Sequence, residues 1–532
     1  MPLNSSIDAH LDFGSPSDYR TLDLPGLRRE GGASRLLLES SSLEGLAAAA
    51  FEDIAFRLPE SQLRGFADAA ADQKASDAER FVAVQLIRNA VVAADGVYPL
   101  CQDTGIGVVY GWKGGRVASV GPAGDAEALE RGGAAVWSAR RLRASVLAPE
   151  SFVAERNTGS NLPFHIDIRA VEGEAFRLVF SAKGGGSSNR TTLSMEAPAL
   201  LDERLLESRI ASLVRGLGAS GCPPYRITCV LGGLSPEETL YALALAGLGL
   251  LDSPGAPALR DTEWEGRILR LAAATGVGAQ FGGTRLALDA RAIRLPRHAA
   301  SLPLGLGVSC AAARRARAII DESGVRLERL EAEPARFLPP GADVFPGARR
   351  IDLDRPLAEL ARELGSLEPG TPLLLSGAVL TARDKAHARF HGLVAEDRPL
   401  PDYLKRHPIF YAGPTEAAPG RVSGSFGPTT AGRMDGWMPE LLERGAALVT
   451  IAKGGRSAMA AEAIGRAGGV YLCAIGGAAA LAGSANVMSS ELVDFGDLGM
   501  EAVRLVRLKD LPAIVVIDRH GNDFYHRTID AP

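Results

Sequence analysis

TPLLLSGAVL, residues 371–380, is an apolar run of the length that is typical of a strand buried on both faces. GAALVTIA at residues 445–452 and LPAIVVID at residues 511–518 have the same character, and helical stretches lie between the three runs. Buried strands that alternate with helices predict an α/β domain. We place this domain at residues 350–532.

A segment rich in proline and glycine precedes this domain. EAEPARFLPPGADVFPGARR, residues 331–350, has no regular pattern, which is typical of a linker. The 532 residues of the chain are also too many for one simple core. We therefore expect a two-domain α/β architecture, with a larger N-terminal α/β domain at residues 18–330 and the smaller C-terminal domain after the linker.

The larger region contains both helical and strand patterns. Residues 44–96 have helical periodicity, and the spacing of Ser76 and Glu79 predicts a capping box at the start of one helix. Apolar and polar residues alternate along PFHIDIRAVEGEAFRLVFSA, residues 163–182, on both sides of Glu172–Gly173. This alternation predicts a β-hairpin.

The composition excludes several classes of partner. Hydrophobic residues make up 46% of the chain, charged residues 23%, and the net charge is −5, so we expect neither nucleic acid nor an anionic membrane as a partner. GGVYLCAIGGAAALAGSANVMSS, residues 468–490, is uncharged, but its glycines, serines and asparagine favour close packing in a core over a membrane span. MPLNSSIDAH at the N-terminus lacks the basic and apolar regions of a signal peptide. With an odd number of cysteines, this favours a reducing compartment, and we expect the cytoplasm.

Three of the five cysteines lie in loops rich in glycine or proline. They are Cys101 in PLCQDTGIG, Cys222 in ASGCPPY and Cys310 in GLGVSC, whereas Cys229 and Cys473 lie in apolar runs and are assigned to the core. Three thiolates from distant loops can hold an iron–sulfur cluster and leave one iron without a protein ligand. Such an iron can act as a Lewis acid. Because no local C-x-x-C spacing is present, the default interpretation of each cysteine taken alone is a small buried apolar residue, and it is the loop contexts that favour cluster binding.

Several cationic residues stand beside glycine-rich or turn-like segments, which points to a small anionic substrate. Arginine binds a carboxylate through two parallel hydrogen bonds, and lysine supplies a compact charge. For each of them the alternative is ordinary exposure to solvent. The residues are Arg143, Lys183, Arg190, Arg383, Arg433 and Lys453.

Three glycine-rich runs could surround an anion with backbone N–H groups. They are KGGGSSN at residues 183–189, GVGAQFGG at residues 276–283 and GSFGPTTAGR at residues 424–433. None of them has the spacing of a nucleotide-binding motif, so nucleotide binding is not expected. Tight packing of turns is the alternative for each run.

Three further side chains are candidates for proton transfer or orientation. Asp103 follows Cys101 by two residues and could act as a general acid or base, or it could form a turn. His298 precedes Cys310 by twelve residues, and an ordinary surface or core histidine is its alternative. His387 has helical spacing from Arg383 and could orient that arginine.

Taken together, these motifs resemble the iron–sulfur-dependent, class I fumarate hydratases. The resemblance runs from about residue 18 to the C-terminus and is carried by CQDTG, NTGSNLP, AKGGGSSN, GCPPY, GAQFGGTRLALDARAIRLPRH, GLGVSC, RDKAH, HPIFYAGP, GSFGPTTAGRMD, AKGGRS and GNDF. It implies a two-domain α/β fold with the active site between the domains, usually in a homodimer. It also implies a 4Fe–4S cluster held by Cys101, Cys222 and Cys310.

The resemblance further implies which residues surround a small dicarboxylate substrate. Thr429 takes the place of the base that abstracts a proton, and Asp103 and His298 are the other acid–base candidates. Arg190 stands where lysine is usual, and Ile106–Gly107 stand where Thr–Ala is usual. The substrate-binding residues implied are Gln102, Asp103, Arg143, Gly186, Asn189, Arg190, His298, Arg383, Thr429, Thr430, Arg433 and Lys453.

The reaction that this resemblance implies is the reversible hydration of fumarate to (S)-malate, a hydro-lyase reaction of the tricarboxylic acid cycle. Tartrate or mesaconate could replace malate in a related dehydratase. Two readings from other classes stay open, namely an iron–sulfur sensor that binds a dicarboxylate without converting it and a structural zinc protein.

Overall fold

The structure is a computed structural model that describes residues 7–30, 35–253, 259–340 and 344–529. In the described residues the helices are α1 Ser40–Phe56, α2 Glu60–Ala71, α3 Asp77–Ala94, α4 Asp125–Ala139, α5 Gly185–Ser188, α6 Glu203–Leu217, α7 Pro236–Gly247, α8 Thr262–Ala274, α9 Leu357–Leu364, α10 Asp384–Ala395, α11 Met438–Glu443, α12 Ala458–Ala467, α13 Ala479–Leu481 and α14 Phe524–Ile529. The strands are β1 Tyr19–Leu22, β2 Leu27–Glu30, β3 Arg35–Glu39, β4 Ile106–Gly114, β5 Val117–Val120, β6 Leu147–Pro149, β7 Glu155–Asn157, β8 His165–Val171, β9 Phe176–Lys183, β10 Thr192–Glu196, β11 Tyr225–Gly233, β12 Ala287–Arg297, β13 Leu302–Ser309, β14 Arg315–Asp321, β15 Gly324–Glu328, β16 Arg349–Asp352, β17 Pro372–Thr381, β18 Ile409–Phe410, β19 Val449–Ala452, β20 Val470–Ala474, β21 Val487–Asp494 and β22 Val503–Ile517.

Helices α1 to α3 occupy the region with helical periodicity, as predicted. The capping box at the start of α3 is confirmed, because the Glu79 amide donates to Ser76 Oγ at 3.2 Å and the Ser76 amide donates to Glu79 Oε2 at 3.3 Å. Glu79 is buried and also accepts hydrogen bonds from the amides of Thr284 and Arg285, each at 2.6 Å. One carboxylate therefore fixes both the start of α3 and the end of the GVGAQFGG run.

Two sheets form the centre of the N-terminal domain. One has six strands in the order β1-β15-β14-β9-β4-β8, and the other has four in the order β10-β13-β11-β12. The β-hairpin predicted for residues 163–182 is wrong. Both strands are present as β8 and β9, but β4 lies between them, parallel to β8 and antiparallel to β9. Alternation predicted the two strands, but it does not determine which strand pairs with which.

The C-terminal domain is built on a seven-stranded sheet in the order β16-β17-β18-β19-β20-β22-β21. Each of the three apolar runs of the sequence overlaps a strand, as predicted, namely β17, β19 and β22. Because β17 also pairs with β22, the strands β17, β18, β19, β20 and β22 close into a small barrel. Parallel pairing from β16 to β20, with helices between the strands, confirms the α/β class.

The sheets of the two domains separate in the region predicted as a linker. β15 ends at Glu328 and still pairs with β14, whereas β16 begins at Arg349 and pairs with β17. Residues 341–343 of the linker lie outside the described residues. We keep residues 18–330 and 350–532 as the proposed domain limits.

No described helix combines the length and the apolar character that crossing a bilayer requires. The uncharged stretch at residues 468–490 contains β20, whose residues are all buried in the sheet. Cys229 on β11 and Cys473 on β20 are buried, as predicted.

We expect Gly283→Ala to destabilise the protein more than Gly173→Ala does. The two glycines have nearly the same backbone, with φ of +112° and +116°. A Cβ at position 283 would lie 2.0 Å from the Glu79 carboxyl carbon, whereas one at position 173 would meet nothing within 4 Å. The difference should be about 2 kcal/mol, the cost of overpacking a fixed group. Equal losses of stability in reversible denaturation of the two variants would show that Glu79 moves aside freely.

Candidate active site

The three loop cysteines lie in one domain and within electrostatic reach of one another. Cys101 lies between α3 and β4, Cys222 between α6 and β11, and Cys310 directly after β13. Burial, with the charges of Cys222 and Cys310, raises the pKa of the Cys101 thiol to about 12. Burial and the charge of Cys222 also raise the pKa of the Cys310 thiol.

A lysine from the C-terminal domain binds one of these sulfurs. Lys453 Nζ donates to Cys222 Sγ at 2.7 Å, and the Lys453 side chain is buried. Burial alone lowers the pKa of an amine, but the Cys222 sulfur outweighs it and the pKa of Lys453 is raised. The amine therefore carries its positive charge at neutral pH. In the same loop, the Cys222 carbonyl accepts from the Ala311 amide at 3.0 Å, which ties it to the Cys310 loop.

The Cys222 loop is held by a glutamine that sequence reasoning did not single out. Gln280 is fully buried, and its Nε2 donates to the carbonyls of Pro223 and Gly476 at 2.8 and 2.9 Å. Its Oε1 accepts from the Gly476 amide at 2.7 Å. Since Gly476 belongs to the C-terminal domain, Gln280 joins the cysteine loop to the second domain. The GVGAQFGG run therefore packs against protein, which was the alternative to anion binding.

Asp103 lies between the KGGG segment and two guanidinium groups. Its Oδ2 accepts from the Gly185 amide at 2.8 Å and its Oδ1 from the Gly105 amide at 3.2 Å. Burial alone raises the pKa of Asp103, but Arg143 and Arg314 outweigh it and the pKa is lowered. The carboxyl group is therefore ionised at neutral pH.

Arg314 is a second residue that sequence reasoning missed. It is 4% exposed, and its charge acts on Cys101, Cys310 and Asp103. Its position four residues after Cys310, in a run of alanines and arginines, was the available signal.

Two arginines from different domains face each other across the site. Burial and the charges of Arg383 and Arg433 lower the pKa of Arg143 to about 10, against the opposite effect of Asp103 and Glu501. Within the described residues, the Arg143 guanidinium has no hydrogen-bond partner. Arg383 is 2% exposed, and its Nη2 donates to Glu501 Oε1 at 2.6 Å.

Thr429 lies beside Arg433 in the C-terminal domain. Arg433 Nη1 donates to Thr429 Oγ1 at 3.2 Å, and Arg433 Nε donates to Asp384 Oδ1 at 2.9 Å. The hydroxyl of the adjacent Thr430 donates to the Ser220 carbonyl, two residues before Cys222, at 3.3 Å. These contacts place the GPTTAGR segment against the Cys222 loop.

Two further predicted residues lie at the same place. Gln102 Nε2 donates to the Pro428 carbonyl at 3.1 Å, so this buried side chain links the first cysteine loop to GPTTAGR. Gly186 has no side chain, and a Cβ at this position would lie 3.4 Å from Lys453 Nζ. Its position leaves room next to that amine.

The remaining predicted residues lie away from this group or bind elsewhere. Asn189 is exposed at the end of α5, and Arg190 donates to the Gly216 carbonyl at 3.0 Å. Lys183 lines a cavity of about 400 Å³ together with Cys310, and burial lowers its pKa. His298 is exposed in the turn before β13, whose 8 residues separate it from Cys310 by about 25 Å.

His387 binds the backbone of Arg383. Its Nδ1 donates to the Arg383 carbonyl at 3.0 Å, since a carbonyl can only accept. Burial lowers the pKa of His387 to about 4, so the ring is neutral. The geometry agrees with the orienting role suggested by the spacing.

The amino-acid sequence matches a known family along nearly the whole chain. A family model described as fumarate hydratase matches residues 44–319, and another described as the fumarase C-terminus matches residues 324–528. Fumarate hydratase 2 of Leishmania major is 40% identical over 509 residues, which are 94% of this chain and 89% of the relative. In Escherichia coli K12, the aerobic class I fumarate hydratase is 41% identical over 504 residues, 93% of this chain and 92% of the relative. The anaerobic class I enzyme of the same strain is 40% identical over 507 residues, 94% and 92% of the two chains.

The chain belongs to the class I fumarate hydratase family. Its sulfur donors fit the iron–sulfur cluster that the cysteine pattern of this family implies. Cys222 is buried, and Cys101 and Cys310 are partly buried. Lys453 interacts with all three and Arg314 with Cys101 and Cys310, and such cations favour the thiolate forms that bind iron. The Ala312 amide donates a hydrogen bond to the Cys310 sulfur, as backbone amides around iron–sulfur clusters do. No three or more His, Cys, Asp or Glu residues of the described ranges surround a single metal ion. Cluster cysteines bind different irons, so their sulfurs need not be that close.

We expect Gly476→Ala to weaken the cysteine site of this class I fumarate hydratase family member. A Cβ at position 476 would lie 2.5 Å from Cys222 Sγ, and the hydrogen bonds of Gly476 to Gln280 prevent the backbone from moving away. Iron retention after anaerobic purification and chelator challenge should fall about tenfold, as for other changes just outside a ligand shell. Gly455→Ala is the control, because its nearest neighbour would be 3.6 Å away. Equal iron retention in both variants would contradict this account.

Proposed function

We propose that the protein catalyses the reversible hydration of fumarate to (S)-malate with a 4Fe–4S cluster held by Cys101, Cys222 and Cys310. One observation carries the proposal, namely that three loop sulfurs of one domain lie within reach of basic side chains of both domains. Arg314 of the N-terminal domain acts on Cys101 and Cys310, and Lys453 of the C-terminal domain donates to Cys222. Sulfur ligands beside an excess of buried cations suit a cluster enzyme that binds a small dianion.

The cluster, when bound, supplies a Lewis-acidic iron that polarises the C–O bond formed or broken in the reaction. The basic side chains bind the two carboxylates of the substrate. They also stabilise the negative charge that develops when the C3 proton of malate is removed. Four residues take this part: Arg143, Arg383, Arg433 and Lys453.

Thr429 is the proposed base for the C3 proton. A threonine hydroxyl needs a nearby cation to lose its proton, and Arg433 donates to its oxygen at 3.2 Å. Arg433 is in turn held by Asp384. Lys453, by contrast, donates its side-chain hydrogen bond to Cys222.

Asp103 is the proposed group for the proton of the hydroxyl. Its ionised carboxylate can accept a proton from water in the hydration direction and return it to the leaving hydroxyl in the reverse direction. Two backbone amides fix the carboxylate and leave its remaining lone pairs for this exchange.

His298 enters this proposal through a homodimer. Its place in an exposed turn, about 25 Å along β13 from Cys310, keeps it out of the site of its own chain. It can act on substrate only if a second copy brings it to the site. The proposal therefore includes a homodimer. It also keeps the cytoplasm as the location of the protein.

The test is turnover of the protein purified without oxygen, with fumarate, tartrate and mesaconate compared as substrates. We expect conversion of fumarate, with iron and sulfide present in equal amounts and no zinc. Replacing Cys101, Cys222 or Cys310 with Ser should remove the cluster absorbance and lower activity more than about 100-fold, because a thiolate ligand is lost. Cys229→Ser and Cys473→Ser are the matched controls and should keep the cluster. Preference for tartrate or mesaconate, binding without turnover, or zinc in place of iron would each overturn the proposal.

Thr429→Ala should lower kcat about 100-fold or more with little change in KM, because the hydroxyl acts on the proton and not on the carboxylates. Thr429→Ser keeps the hydroxyl and should restore a large part of kcat. An unchanged kcat in Thr429→Ala removes this residue from the mechanism. Steady-state kinetics in both directions measures the two constants.

A further inference from the structure

Glu501 makes two hydrogen bonds next to the proposed substrate arginines. It ends the 3₁₀ helix Gly496–Glu501, just before β22, and its Oε1 accepts from Arg383 Nη2 at 2.6 Å. Its Oε2 accepts from the Lys385 amide in the first turn of α10 at 3.1 Å. One carboxylate therefore holds the Arg383 side chain and the backbone that carries it.

The other side of Arg383 is shaped by a glycine. A Cβ at Gly413 would lie 2.7 Å from Arg383 Nη1, so the guanidinium occupies the space that a side chain would fill. Nη2 is bound to Glu501, while Nη1 has no hydrogen-bond partner in the described residues. Arg383 is thus held along one edge and has an N–H group free for a ligand.

Glu501 also acts on a second arginine across the site. The charges of Arg143 and Arg383 repel each other, and Glu501 interacts favourably with both. Arg383 and Arg143 lower the pKa of Glu501, against burial, so the carboxylate is ionised. Two like charges from different domains are brought together around one acid of the C-terminal domain.

We propose that Glu501 is a positioning residue for substrate binding, which holds the Arg383 guanidinium in place and offsets the repulsion between Arg383 and Arg143. This inference rests on the proposed function, in which these arginines bind the carboxylates of the substrate. Glu501 itself does not touch substrate, because a carboxylate repels a dianion and both of its oxygens already accept hydrogen bonds.

The central test compares Glu501→Gln and Glu501→Asp in the holoenzyme. Gln removes the charge, and we expect KM for fumarate to rise about tenfold while kcat changes less than about threefold, because substrate binding is weakened. Asp keeps the charge, so KM should recover most of the way. Equilibrium dialysis with labelled fumarate should show the same order of dissociation constants. KM and dissociation constants within twofold of the wild type in Glu501→Gln would overturn the proposal.

A control separates positioning from general stability. Glu265 is 8% exposed and forms an ion pair with Arg260 at 2.7 Å, on α8 and away from the site. Glu265→Gln should lower the unfolding temperature and leave KM unchanged. An equal rise of KM in Glu265→Gln would show that any lost buried pair has this effect.

The pH dependence of kcat/KM separates positioning from a purely structural role, which would leave this dependence unchanged. Arg143, facing Arg383, Arg433, Asp103 and Glu501, binds a dianion only while protonated, and its pKa is about 10. Loss of Glu501 lowers that pKa further, so the alkaline fall of kcat/KM should begin at lower pH in Glu501→Gln than in Glu501→Asp. Coincident profiles would contradict the electrostatic part of the proposal.

A double variant covers the case in which Glu501→Gln fails to fold. Arg383→Gln with Glu501→Gln removes the Arg383–Glu501 ion pair as a unit and should have the same KM as Arg383→Gln alone. A further tenfold rise in the double variant would show that Glu501 acts independently of Arg383.

The crystal structure of the Glu501→Gln variant tests the inference without reference to activity. We expect the Arg383 guanidinium to leave its position beside Gly413, and an unmoved guanidinium overturns the proposal. If the wild type binds fumarate without converting it, the hydratase function fails, while the dissociation constants still decide the role of Glu501.

Discussion

Buried positive charges that must stand side by side impose the constraint on which the site depends. Four cationic groups that would bind a dianion repel one another when the substrate is absent, and burial further penalises three of them, Arg433 being exposed. The chain gives three of them a separate partner: Glu501 for Arg383, Asp384 for Arg433 and the Cys222 sulfur for Lys453. The Arg143 guanidinium has no hydrogen-bonded partner in the described residues and is balanced at longer range by Asp103 and Glu501. Each partner also fixes the orientation of its cation, so the same contacts balance the charges and set the geometry of the site.

This charge balance requires the two domains to keep a fixed position relative to each other. Two buried glutamines are among the direct links, because Gln102 donates to Pro428 and Gln280 exchanges hydrogen bonds with Gly476. A buried amide that lost these partners would be costly, which opposes opening of the domains. Both glutamines belong to segments that carry or contact a cysteine loop. The arrangement of the sulfurs and the arrangement of the basic side chains are therefore coupled.

The sequence predicted the parts of this structure that depend on local pattern. Buried strands such as β17 and the capping box at Ser76 follow from periodicity and spacing, which act over a few residues. The hairpin at residues 163–182 was wrong because strand pairing is a long-range choice, and β4, about fifty residues earlier, takes the place between the two strands. Glu501 and Arg314 were missed for the same reason, since a lone acid or arginine gains meaning only from what the fold places beside it. Motif resemblance supplied the candidate residues of the site, but it could not show that His298 lies at the far end of β13 within its own chain.

The glycine-rich strings of the second domain have a common explanation in space. At Gly427 a Cβ would lie 2.4 Å from Gln102 Oε1, at Gly476 2.5 Å from Cys222 Sγ, and at Gly413 2.7 Å from Arg383 Nη1. In each case the atom that fills the missing side-chain volume belongs to a predicted site residue. An anion cradle would instead need backbone N–H groups that point into an open space. At these three positions glycine therefore serves to let a functional side chain approach the backbone, and the reason for the motif lies in the neighbour and not in the glycine's own conformation.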